Sequence, residues 1–161
     1  MTRVLAVDPG TAASGIVLWD GDAKRVVESL SEIGNEELLD RLLRGGFAFS
    51  PVGDEMVVFE KIESMGMAVG ASTFETVFWT GRFYEVASHY AGVCRVTRRE
   101  VKLHICGSMK AKDPNVRQAL IDRFGEPGTK KNPGPLYGVS SHAWAALALA
   151  VTWFDQNKEK S

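Results

Sequence analysis

Little in the 161-residue sequence points to a scaffold held by covalent or metal staples: it has two cysteines, three histidines and a formal charge of only −1. Cys94 and Cys106 show no metal-type spacing, which excludes a disulfide framework or a zinc ribbon and leaves each as a small apolar packing residue. No apolar run approaches the ~20 residues that a membrane-spanning helix requires. The opening Met-Thr-Arg passes directly into a strand-like segment instead of a leader peptide, so a cytoplasmic protein without a membrane partner is expected. Internal repeats and low-complexity stretches are also missing. What remains is an ordinary globular composition, 45% hydrophobic and 24% charged. The length fits one domain, residues 1–155, followed by a polar tail over 156–161.

The near-zero charge conceals a segregation. Between Arg95 and Lys131 there are ten Lys or Arg against four acids, a local charge of +6 on a chain that is otherwise −7. A basic segment of this kind suits a phosphate backbone, because each phosphate neutralised releases a counterion. Its members Lys102, Lys110, Lys112, Arg117, Lys130 and Lys131 are the candidate DNA contacts.

Apolar and turn patterning predicts three antiparallel strands at the start: Arg3 to Val7 ending on Asp8-Pro9-Gly10, Gly15 to Trp19, and Arg25 to Leu30. Asn35 then reads as the N-cap of a helix carrying Leu38, Leu39, Leu42 and Leu43. Glu55 to Phe59 reads as a buried strand that delivers Glu60 at its end. Ala71 to Tyr90 reads as a helix with two apolar faces, one of Phe74, Val77, Phe78 and Gly81 and one of Trp79, Phe83 and Tyr84. That is a core face plus a self-association surface. Val93 to Thr97 is a further strand, and Glu100 to Ile105 a short helix ending at Gly107. Asp113 caps a helix with Pro114 at its first position and Gly125 at its end. Gly125 to Gly138, with three prolines and four glycines, is a loop expected to be mobile. Ser140 or Ser141 caps a last helix from Ala143 to Phe154, apolar almost all round and therefore deep against a sheet. The order predicts an α/β fold: a mixed sheet, three antiparallel strands then parallel ones, with helices on both faces.

Such a sheet brings three candidate metal ligands and catalytic residues to element ends: Asp8, Glu60 and His142. Carboxylate oxygens suit Mg²⁺ or Mn²⁺, and two such ions ~3.5–4 Å apart activate a water and steady the leaving oxygen in phosphodiester hydrolysis. A histidine among the carboxylates biases the site toward Mn²⁺. Each residue alone has a bland reading, Asp8 as a turn former and His142 as a solvated helix start, so only the trio is informative.

Five segments in order carry a family resemblance. They are Asp8-Pro9-Gly10-Thr11 with Ser14-Gly15; Val57-Val58-Phe59-Glu60; Val101-Lys102-Leu103 leading through Gly107 to Lys112-Asp113; Val116-Arg117-Gln118-Ala119-Leu120; and Ser141-His142-Ala143-Trp144-Ala145-Ala146-Leu147-Ala148. Together they resemble RuvC-type Holliday-junction resolvases over nearly the whole chain, most of all the phage-encoded branch. The resemblance implies a ribonuclease H-like fold, a homodimer with two active sites, and paired nicking of four-way DNA junctions, in the host cytoplasm if phage-encoded. It implies that Asp8 bridges two metal ions, that Glu60 and His142 each bind one, and that Lys102 and Lys112 contact phosphates near the scissile bond. The loop Ser64-Met65-Gly66-Met67 lies where the family probes the junction centre, with Met65 or Met67 as an apolar wedge. Glu63 has no counterpart and is read as a surface acid.

The sequence departs from the family at Ala145, where an acidic residue one helical turn after His142 completes the site. Asp8 and Glu60 then carry two negative charges against four positive ones on two divalent ions. The chain is expected to bind junctions and cleave them very poorly. It is either a disabled version of an active nuclease or a natural, non-cleaving branched-DNA binding protein. Two other readings compete. A phosphate loop of the sugar-kinase and actin type needs a second such domain, which the chain lacks. A nuclease acting on RNA–DNA hybrids shares the fold and differs only in substrate.

Overall fold

The computed structural model describes residues 2–47 and 55–158. Strands β1 (Arg3–Asp8), β2 (Ala13–Asp20) and β3 (Arg25–Gly34) are followed by α1 (Asn35–Leu43), β4 (Met56–Lys61), α2 (Ala71–Ser88), β5 (Gly92–Thr97), α3 (Arg98–Cys106), α4 (Asp113–Phe124) and α5 (Ala143–Lys158). The strands form one sheet in the order β3-β2-β1-β4-β5. β1, β2 and β3 pair antiparallel, whereas β4 and β5 join β1 in parallel. This is the mixed sheet expected from the sequence, with helices on both faces.

Alternation along the strands divides the core into two layers. Val4, Ala6, Val17, Trp19 and Val58 face α3, α4 and α5, while Leu5, Val7, Ile16, Leu18, Val57 and Phe59 face α1 and α2. α5 buries ten of its 16 residues, which is why its sequence lacks a polar stripe. Fully burying each of its larger apolar side chains, such as Leu147, contributes about 1.5–3 kcal/mol. On α2 the two apolar faces part: Trp79 and Phe83 turn into the core, while Phe74, Val77 and Phe78 stay exposed.

Several local expectations need correction. The third strand runs to Gly34, because antiparallel pairing continues to Ala13 opposite Gly34. Asn35 is the first residue of α1, and Gly34 holds the cap position without a side-chain bond. α3 starts at Arg98, where Thr97 and Glu100 form a capping box that hydrophobic spacing does not reveal. Asp113 is the first helical residue of α4 and Lys112 its cap, so the Asp113 carboxylate is free for another partner. α5 continues past the expected Phe154 through Lys158; residues 159–161 lie outside the described residues. The loop from Gly125 to Gly138 is tied down. Gly128 bridges Pro133, Gly134 N–H donates to Pro127 O at 2.9 Å, Val26 N–H of β3 donates to Pro135 O at 2.8 Å, and Leu136 is fully buried.

Candidate active site

β1 and β4 are parallel neighbours with Val7 opposite Phe59, so Asp8 and Glu60 follow side by side at the same end of the sheet. Alternation sends both to the face of Ala6 and Val58, the face that α5 covers. The two carboxyls hydrogen-bond to each other, with side-chain exposures of 16% for Asp8 and 12% for Glu60. Burial pushes both carboxyls above the usual carboxylate range. Glu60, which also faces the Asp8 charge, rises to about 8. At neutral pH the pair therefore holds one shared proton.

His142 directly precedes α5, and its Nδ1 stands 4.0 Å from Asp8 Oδ2. This approach depends on Gly15, the partner of Asp8 on β2. A Cβ there would lie 2.9 Å from the His142 carbonyl carbon and oxygen. The Asp8-Pro9-Gly10 turn is held by a small buried network. Ser14 Oγ donates to Asn35 Oδ1 at 2.7 Å and accepts from Gly10 N–H at 3.3 Å, while Asn35 Nδ2 donates to Gly10 O at 2.9 Å. Asn35 thus shapes the loop beside the site, a role that its resemblance to a helix cap conceals.

A cleft of about 520 Å³ opens beside the pair, its wall including Asp8, Glu60, Glu63, Met65, Arg98 and Lys102. A second, of about 260 Å³, is lined by Asp8, Asp113, Arg117, His142 and Ala145. Of the candidate DNA contacts, Lys102, Arg117 and Met65 thus border the acidic pair. Lys110 and Lys112 are exposed on the connection from α3 to α4. Met67 is exposed on the loop after β4. Lys130 and Lys131 sit on the loop bonded to Val26, near the end of the sheet opposite Asp8, so the fold does not bring them together with the trio. Glu63 pairs with Lys61 at 3.6 Å on the cleft wall.

Sequence reasoning missed two residues here. Arg98 Nη2 lies 2.7 Å from both carboxylate oxygens of Asp113, and its Nη1 lies 3.9 Å from Glu60 Oε1. The Asp113 charge in turn helps raise the pKa of Asp8 and Glu60. A narrow gap of about 30 Å³ beside Ala145 is bordered by Glu60, Arg98 and Asp113. In the sequence Arg98 is one basic residue among ten and Asp113 has the signature of a helix cap, so nothing signals their pairing.

The donors suit a hard divalent cation: two adjacent carboxylates line the larger cleft, and Asp8 shares the smaller one with the His142 imidazole. Among the described residues no group of three His, Cys, Asp or Glu side chains already stands as a coordination shell. The carboxyls are bonded to each other and His142 stands 4.0 Å off, so a cation held by all three would need the shared proton to leave and His142 to close in. Also among the described residues, no helix is long and apolar enough to cross a membrane.

No protein-family model matches the chain, and no curated protein matches it. Solved structures do. A Thermus thermophilus RuvC structure superposes with a TM-score of 0.73 at 19% identity, covering 98% of this chain and 97% of that one. T. thermophilus RuvC in complex with a Holliday junction substrate gives a TM-score of 0.69 at 17% identity, covering 99% and 97%. The fold is RuvC-like, the ribonuclease H-like α/β architecture.

Proposed function

We propose that this chain, with residues 1–155 acting as one nuclease unit, is a divalent-cation-dependent endonuclease that binds four-way DNA junctions and nicks them in pairs as a homodimer. The observation that carries the proposal is the hydrogen-bonded Asp8–Glu60 pair at the ends of adjacent parallel strands, with His142 beside it, in a fold shared end to end with RuvC. The comparison structure that holds a Holliday junction supports branched DNA as the substrate class.

Asp8, Glu60 and His142 would hold Mg²⁺ or Mn²⁺, which supplies Lewis acidity toward a phosphate oxygen. Asp8 and Glu60 must first surrender their shared proton, so the buried pair couples cation binding to pH. Lys102 on one side and Arg117 on the other flank the pair and neutralise phosphates of the bound strand. Lys110 and Lys112 extend that basic track, and Lys130 and Lys131 add a remote contact. Met65, exposed on the rim with Met67, presents an apolar edge to unstacked bases. The exposed face of α2 joins the two copies.

Ala145 contributes no carboxylate, so cleavage is weak and junction binding persists. A natural branched-DNA binder that no longer cleaves is the second reading, favoured by the same alanine. Cleavage of a four-way junction with Mn²⁺ by the chain and by Ala145→Asp tests both. Strong gain in the aspartate form supports the nuclease, and no cleavage by either form leaves the binder. An RNA–DNA hybrid cleaved in preference to the junction would overturn the substrate assignment.

A further inference from the structure

Arg98 has no part in the chemistry above, yet its guanidinium lies among three carboxylates. Nη2 forks onto both oxygens of Asp113 at 2.7 Å, Nη1 faces Glu60 at 3.9 Å, and its charge acts on Asp8. We propose that Arg98, clamped by Asp113, is a built-in cation of the acidic centre that restricts it to a single divalent ion. This deepens the metal-dependent reading and rests on it.

Charge balance leads to the same count. Asp8, Glu60 and Asp113 contribute three negative charges and Arg98 one positive, which leaves the two that a single divalent ion neutralises. A second ion would stand ~3.5–4 Å from the first. On the Ala145 side the small gap offers it no carboxylate except those that Arg98 already engages, and on the His142 side Asp8 and Asp113 share the wall with Arg98 and Arg117, whose charges repel it.

The choice of arginine fits this role. With Nη2 seated between both Asp113 oxygens, the rigid guanidinium plane turns Nη1 toward Glu60, whereas a lysine would be a rotating point charge. Asp113 reaches Arg98 because it is the first residue of α4 and Arg98 the first of α3. Two helix starts thus meet over the strand end that carries Glu60. The guanidinium is half exposed, so it is held by its partners and not by burial.

The test counts ions instead of cleavage. Mn²⁺ is titrated into the full chain and into Arg98→Met, Arg98→Lys and Asp113→Asn, with stoichiometry read by calorimetry and by the paramagnetic resonance of free Mn²⁺. Cooperative thermal unfolding checks that each is folded. The expected result is one Mn²⁺ per chain for the unaltered protein and for Arg98→Lys, and two for Arg98→Met with the first bound at least tenfold more tightly. Asp113→Asn should weaken the single site about tenfold. Two ions in the unaltered chain, or an Arg98→Met form indistinguishable from it, overturns the proposal while leaving the metal reading intact. No Mn²⁺ bound by any folded form overturns both.

Discussion

Gly15 and His142 are in a contact that no other residue at position 15 permits. A Cβ on Gly15 would lie 2.9 Å from the His142 carbonyl and 3.0 Å from its Cβ. Since Gly15 pairs with Asp8 across β1 and β2, the missing side chain sets how near the start of α5 comes to the carboxylates. Gly15→Ala should displace His142 from Asp8. Forced overpacking of this kind costs about 1–3 kcal/mol. We expect a lowered midpoint in urea unfolding together with weaker Mn²⁺ binding. A substitution that lowers stability and leaves Mn²⁺ affinity unchanged would show that the contact serves packing alone.

The sheet and its helices were legible because strand alternation and helix spacing are local properties. Val4 to Val7 and Val57 to Phe59 announce their strands, and the apolar stretch after His142 announces a buried helix. Parity then predicts that Asp8 and Glu60 share a face once the strands are taken as parallel neighbours. The remainder was hidden because it depends on pairs brought together only by tertiary structure. Asn35 looks like a helix cap, yet its amide closes the Gly10 turn. Asp113 looks like another cap, yet it clamps Arg98 from 15 residues away. The loop before α5 looks mobile by composition, and its anchoring by Val26 and Leu136 is a long-range effect.

The Asp8–Glu60 pair predicts an unusual pH dependence. Glu60 titrates near 8 in the folded chain against an ordinary 4.5, chiefly because of burial and then because of Asp8. Its folded pKa is raised, so the folded state holds a proton that the unfolded chain loses from about pH 4.5 upward. The metal-free protein should therefore lose stability as pH rises from about 4.5 to about 8. Glu60→Gln, which keeps a hydrogen-bond donor and cannot ionise, should flatten that slope in chemical denaturation between pH 5 and 8. In the unaltered chain Mn²⁺ should bind more tightly as pH rises through the same range, releasing a proton. A stability that climbs with pH in the absence of metal would contradict the shared proton.

Asp155 ties together the three helices on the α5 side of the sheet. It accepts a fork from Arg123 of α4 at 2.6 and 2.8 Å and stands 2.7 Å from His104 Nε2 of α3. Burial opposes its ionisation, but the Arg123 and His104 bonds outweigh that and hold its pKa below the ordinary 3.8. Its contribution is therefore complete above about pH 4 and is lost as pH falls through the depressed folded value. Hydrogen bonds to charged groups are worth about 1.5–3 kcal/mol, so Asp155→Asn should cost that order of stability at pH 7. The difference should shrink toward acid. Unfolding curves of both forms at pH 7 and pH 3 measure it.

The exposed face of α2 carries the last prediction. Phe74, Val77 and Phe78 are 65%, 48% and 59% exposed. Isolated exposed apolar residues are common, but a cluster of this size on one helix face marks a contact surface. Trp79 and Phe83 fill the core from the opposite side of α2, so the outer face can be altered without emptying it. Among the described residues, the ring contacts of Phe78 are the edge of Trp79 and the guanidinium of Arg82. Phe78→Glu should therefore change thermal stability of the isolated chain little. If α2 joins two copies, sedimentation at micromolar concentration should give a dimer for the unaltered chain and a monomer for Phe78→Glu. Junction affinity should fall with the dimer, since each copy offers one basic cleft and paired nicking needs two of the junction's four strands held at once. A monomer in both forms would remove α2 as the joining surface and leave paired nicking without a physical basis.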